Sequence, residues 1–169
     1  IASHKNPNIE VHYINRPKNL GMHENYLDAL ANVKGKYLAF CEGDDYWTDP
    51  NKLQRQVDFM ETNNQYYGCA HQSTVLFTDN SQPLRLNSLE KKPKDYLIND
   101  LFGTRPFHTA SFIMRSSLLK LYPIPENIFS GDKVLYWMAA GKGPIRFFPE
   151  SMCVYRRNGG GVSTKVTLA

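Results

Sequence analysis

Glu42-Gly43-Asp44-Asp45 brings three carboxylates together directly behind an apolar run, Tyr37-Leu38-Ala39-Phe40-Cys41. Carrying carboxylates to the edge of a core costs free energy unless cations or hydrogen-bond donors satisfy them. Side chains alternate along an extended chain, so Glu42 and Asp44 fall on one face and Asp45 is free to turn separately. Hard oxygen donors of this kind suit Mg2+ or Mn2+, which keep several waters and are completed by substrate phosphates, so a few protein carboxylates suffice. The competing account is that these acids cap a turn ahead of the next helix, a common use of Asp. A further acid, Asp132, follows Gly131 at the start of a helix-periodic segment, and by position alone it reads as an N-cap.

The surrounding pattern predicts the elements that must hold these groups. Tyr37–Cys41 has the length of a strand and no polar alternation, as expected of a strand buried on both faces of a parallel sheet. Ahead of it, Ile9 to Ile14 alternates like a strand, and Arg16 to Gly21 breaks the pattern with Pro, Asn and Gly. Met22, Tyr26, Leu27, Leu30 and Ala31 have helical spacing, ending near Lys34-Gly35. Asp49-Pro50 opens a second helix that runs to about Thr62 with Leu53, Val57 and Met60 as its apolar face. Gly68 to Phe77 reads as a strand, Asn80 to Pro93 as irregular, Tyr96 to Phe102 as a short helix and Thr109 to Met114 as a strand. A helix with Val134, Leu135, Trp137 and Met138 on one face runs from Ser130 to the stop at Gly141-Lys142-Gly143-Pro144. Strands at 145–148 and 151–155 close an α/β pattern. No G-x-G-x-x-G and no P-loop occurs anywhere.

Composition narrows the class. The 169 residues, 41% hydrophobic with nine Phe and ten Tyr, fill one core. Twenty basic residues against 16 acidic ones, scattered except at Lys91, Lys92 and Lys94, argue against nucleic acid as a partner. A pI near 8.9 suits a phosphate-bearing ligand or an anionic membrane face. Cys41, Cys69 and Cys153 are odd in number and lie in apolar stretches, which predicts free thiols rather than disulfides or zinc ligands. No apolar run approaches membrane-spanning length and IASHKNPNIE has no signal-peptide core, so the expected location is cytoplasmic.

Asn19-Leu20-Gly21, Asn25, Ala29-Leu30, the run from Gly35 through Trp47, Asp49-Pro50, Lys52-Leu53 and Gln56 recur in an order that resembles the central stretch of bacterial family-2 glycosyltransferases. The resemblance covers most of the chain. It implies a GT-A (Rossmann-like) α/β fold with a mostly parallel sheet flanked by helices. It also implies an N-terminally incomplete domain, because the family's opening strand-helix-strand unit, source of most of its nucleotide pocket, has no counterpart here.

The resemblance further implies inverting transfer of a sugar from a nucleotide-diphosphate donor to a hydroxyl on a carbohydrate or lipid-linked acceptor, as in surface polysaccharide synthesis. Asp44 would then coordinate the divalent metal, Mn2+ or Mg2+, at the donor diphosphate. Glu42, where the family carries Asp, would serve beside it, and Asp45 would lie against the donor. Asp132 would be the catalytic base. Arg16 and Asn19 would lie near the donor nucleotide, and His108-Thr109-Ala110-Ser111 on the acceptor side. Arg156 leads into Arg157-Asn158-Gly159-Gly160-Gly161, a tail expected to close over the diphosphate, with Asn158 where relatives often carry His. Two rival readings are a non-catalytic carbohydrate-binding or assembly module and a nucleotidyltransferase, which would need a Gly-rich phosphate loop.

Overall fold

The computed structural model describes residues 7–125 and 131–158. In chain order the elements are α1 (Gly21–Ala31), β1 (Tyr37–Ala39), β2 (Tyr46–Trp47), α2 (Lys52–Thr62), β3 (Gly68–Phe77), β4 (Arg85–Leu86), β5 (Lys94–Tyr96), β6 (Ile113–Arg115), α3 (Leu118–Leu121), α4 (Gly131–Ala140) and β7 (Ile145–Arg157). They form one seven-stranded sheet in the order β1-β6-β3-β7-β2, with β4 added to β3 and β5 to β7.

The sheet is mixed rather than mostly parallel. Its longest pair, β3 with β7, is parallel from Gly68↔Ile145 to Phe77↔Arg157, while β1, β2, β4, β5 and β6 all pair antiparallel. The two strands expected at 145–148 and 151–155 are one continuous β7. Register shifts opposite His71, Gln72 and Ser73 absorb the extra residues around Pro149, as bulges do. The expected strand at 9–14 does not form. Ile9, Val11, Tyr13 and Ile14 are at least half exposed and find no ladder partner, and backbone groups do not form a strand alone. β1 is only half-buried and pairs antiparallel with β6, instead of lying buried on both faces. Part of the expected 96–102 helix is the end of β5, followed by a 3-10 turn at Ile98–Leu101. A second 3-10 turn, Thr109–Ser111, precedes β6.

Alternation along the strands divides the core in two. Ala70, Phe112, Met114, Ile145 and Phe147 face a cluster built with Leu30 of α1 and Leu135, Tyr136, Met138 and Ala139 of α4. Cys69 and Ile113, one residue out of phase, join Met60 of α2 and Tyr66. Helices therefore cover both faces, the α/β architecture that the strand-helix order predicts. At Gly68 a Cβ would sit 2.7 Å and 2.9 Å from the Phe112 ring and 3.2 Å from the Ala139 Cβ. We expect Gly68→Ala to overpack this seam and cost about 1–3 kcal/mol. The check is a lower urea midpoint at an unchanged slope.

His71 on β3 is fully buried. Its Nδ1 lies 2.7 Å from the Gln72 carbonyl, which can only accept, so the ring proton is on Nδ1 and Nε2 is bare and without a partner. Desolvation, only partly offset by that hydrogen bond, pulls its pKa down to about 3. The folded state therefore binds this proton less readily than the unfolded chain, whose His titrates near 6.5. Stability falls as pH drops below about 6.5 and the loss is complete near 3. We expect His71→Gln to flatten this part of the stability–pH curve, measured by urea unfolding at pH 4.5 and 7.

Candidate functional site

The acidic loop leaves β1 and returns through β2, which pairs with β7 at Tyr46↔Val154 and Trp47↔Cys153. That pairing brings the end of β7 across the loop. The Arg156 amide donates to Asp45 Oδ1 at 2.9 Å, the Arg156 guanidinium donates to the Asp44 carbonyl, and Asn158 Nδ2 lies 3.4 Å from Asp44 Oδ2. Asp45 is 9% exposed, whereas Asp44 is open to solvent. The loop's acids thus divide into an inner one, Asp45, and an outer one, Asp44.

His108 closes the inner side. It stacks on Tyr155 of β7 with ring centroids 3.9 Å apart, and its Nδ1 lies 3.4 Å from Asp45 Oδ2. The same Nδ1 accepts the Ala110 amide at 3.3 Å, so it carries no proton to give the carboxylate. Two acceptors at this separation call for a proton or a cation between them. Glu42, Asp45 and His108 each present a ligand atom, all within 4.8 Å of one another. Glu42 leaves much of its surface to solvent, yet desolvation of its carboxyl, with the Asp45 charge adding to it, raises its pKa to about 7. Asp45 is raised to about 6, mainly by desolvation and then by the Asp44 charge, against the opposing Arg156 amide. Burial, reinforced by Arg105, lowers His108 to about 4 and keeps it neutral. Desolvated acids beside a neutral imidazole fit a divalent cation, and the mixed oxygen and nitrogen donors favour Mn2+ over Mg2+.

Asp132 lies in the first turn of α4. Its carboxyl receives the Thr109 hydroxyl at 3.2 Å, pairs with Arg105 at 3.1 Å and accepts the Lys133 amide at 2.9 Å, leaving the side chain 15% exposed. Thr109 in turn accepts the buried Tyr136 hydroxyl at 3.2 Å and is also a hydrogen-bonding neighbour of Glu42. The turn at 108–111 therefore touches the acidic loop with His108 and Asp132 with Thr109, so one short turn links both acid groups. At Gly131 a Cβ would stand 2.5 Å from the Tyr26 ring, so the missing side chain lets α1 pack against the start of α4.

Of the residues expected near the donor, Arg156 and Asp45 are in contact. Arg16 is ion-paired with Asp28 of α1 and lines an open pocket of about 450 Å³ with Lys18, Asn19 and Asn25. Asn19 Oδ1 accepts the Gly21 amide at 2.8 Å at the start of α1. The glycine tail at 159–161 lies outside the described residues. Arg105 and Tyr136 were not singled out from the sequence; an arginine in a Pro-containing loop and a tyrosine in an amphipathic helix carry no local signal. Asp49 accepts the Asn51 amide at 2.8 Å and α2 starts only at Lys52, two residues later than expected.

This mixed sheet with helices on both faces is the architecture of a GT-A fold, and the comparisons give the family. The profile of Glycosyl transferase family 2 matches residues 1–121, and the chain belongs to that family. Uncharacterized proteins of Mycobacterium bovis and Mycobacterium tuberculosis are 35% identical to it over 147 residues, 87% of this chain. The chain spans 42% of the length of these relatives. The crystal structure of S. aureus TarS 1-349 superposes with a TM-score of 0.57 at 16% identity, covering 76% of this chain and 38% of that one, which bears on the fold alone. Among the described residues no helix is long and apolar enough to cross a membrane.

Proposed function

We propose that the domain transfers a glycosyl group from a nucleotide-diphosphate sugar to a hydroxyl acceptor, with inversion, using Asp132 as general base and the acidic loop as a divalent-cation site. The observation that carries this reading is the shared turn, whose Thr109 and His108 touch Asp132 and Asp45. Asp132 takes the acceptor's proton as that oxygen attacks the anomeric carbon. The new C–O bond forms on the face opposite the breaking bond to phosphate, and the nucleoside diphosphate leaves. Thr109 and Arg105 hold the carboxylate in place.

Glu42 and Asp44 are the proposed metal ligands. Asp44 is open to an incoming diphosphate, and Asp45 with His108 forms an inner donor pair that could complete or replace them. A bound divalent ion would offset charge on the departing diphosphate. Arg156, whose guanidinium reaches the Asp44 carbonyl, is proposed to pair with the same phosphates. We assign the acceptor to carbohydrates or lipid-linked sugars of surface polysaccharide, on family resemblance alone. The test is nucleoside diphosphate release by the complete protein with a panel of nucleotide sugars, followed by NMR of the product's anomeric proton. Inverted configuration supports the reading, and retained configuration overturns it.

A further inference from the structure

Lys52 is 1% exposed, one of the largest fully buried side chains, and among the described residues it makes no ion pair. Its ammonium donates to Gln56 Oε1 at 2.9 Å and lies 4.3 Å from the centre of the Trp47 ring. Burial lowers its pKa to about 8, so it is still mostly cationic at neutral pH. Gln56, also fully buried, uses its amide to donate to the Ser111 carbonyl at 2.9 Å and to the Cys69 carbonyl at 3.4 Å. Trp47 donates its indole N–H to the Ala110 carbonyl at 3.0 Å.

The three side chains thus join the exit of the acidic loop, the first turns of α2, strand β3 and the 108–111 turn. A buried cation without a counter-ion is costly, and an apolar side chain of the same length would fill the space more cheaply. Stability therefore does not explain a lysine at this position. A satisfied buried polar network does fix relative positions more sharply than apolar contact.

We propose that Lys52, Gln56 and Trp47 are positioning residues that hold the 108–111 turn against the acidic loop, and so set His108 against Asp45 and Thr109 against Asp132. None of the three touches the reacting atoms. The role rests on the transferase reading above, because only a reaction shared between the two segments needs that spacing held.

The test uses the complete protein with Lys52→Met, which keeps volume and removes the charge, and Gln56→Glu, which keeps the acceptor for Lys52 and removes the donor to Ser111. Val57→Ala, on the same helix and outside the network, is the control for plain destabilisation. Melting temperature, kcat, donor KM and the His108 ring resonances are measured for each. We expect Lys52→Met to fold, with displaced His108 resonances, kcat lower by about 10- to 100-fold and KM changed little, since small misplacements of reacting groups cost rates of this size. Gln56→Glu should act in the same direction, while Val57→Ala lowers the melting temperature and leaves kcat and the His108 signals alone. Folded Lys52→Met and Gln56→Glu proteins with wild-type resonances and kcat would overturn the proposal. So would loss of the fold in both, which would make the network a stability element. If the wild-type protein transfers no sugar, the transferase reading fails by itself, and the His108 resonances still decide whether the network sets the turn.

Discussion

Asp132→Asn is expected to lower kcat by about 10²- to 10⁴-fold while the donor still binds, since positioned general-base catalysis contributes on that order. Asn keeps the size of the side chain and an oxygen that can accept from Thr109 and Arg105, so the start of α4 should stay in place. What it loses is the ability to take a proton. The effect should therefore appear in kcat and kcat/KM together, with donor affinity unchanged. Thr109→Val gives a companion measurement, removing a hydroxyl that touches Asp132 while leaving the carboxylate. A smaller loss there, in kcat with donor KM unchanged, would mark Thr109 as positioning the base. Equal activity of wild type and Asp132→Asn would reduce Asp132 to a helix-terminal acid.

The second large effect is expected at the acidic loop. Asp44→Ala should abolish metal-dependent donor binding, a loss of about 100-fold or more if the carboxylate ligates an ion that also holds the diphosphate. Its carboxyl is exposed and its side-chain contact is with Asn158 at 3.4 Å, so the fold should tolerate the change. His108→Phe separates the two proposed ligand groups, because it keeps an aromatic ring against Tyr155 and removes the nitrogen beside Asp45. If the inner trio of Glu42, Asp45 and His108 holds the ion, Mn2+ affinity falls in His108→Phe and is kept in Asp44→Ala. If Glu42 and Asp44 hold it, affinity falls in Asp44→Ala only. Mn2+ titration followed by electron paramagnetic resonance reads both variants directly.

The acidic loop was legible because carboxylates directly behind an apolar run are conspicuous, and β3 because ten residues without a turn signal read as a strand. Helix α2 shows where the pattern misleads. Its apolar face was expected at Leu53, Val57 and Met60, but the buried positions are Lys52, Gln56 and Met60, and Leu53 is 39% exposed. Spacing by four residues predicts which positions share a face. It does not predict that a cation and an amide will be buried together when they satisfy each other and two carbonyls from other segments. Residues 9–14 mislead in the opposite way, since alternation describes a strand's faces but not whether a partner is there to pair with it. His108 was noticed in the sequence, yet its pairing with Asp45 depends on the acidic loop, the 108–111 turn and β7 meeting from well-separated parts of the chain, which no local spacing records.

The most direct measurement is calorimetric titration of nucleotide-diphosphate sugars into the complete protein, with Mn2+ present and with the metal chelated. Glycosyl transfer at this site predicts that at least one donor binds with Mn2+, that chelation removes the binding, and that adding an acceptor releases the nucleoside diphosphate. Binding of no donor in either condition, by a folded protein, would contradict the transferase reading and leave a non-catalytic carbohydrate-binding or assembly module as the function of this fold.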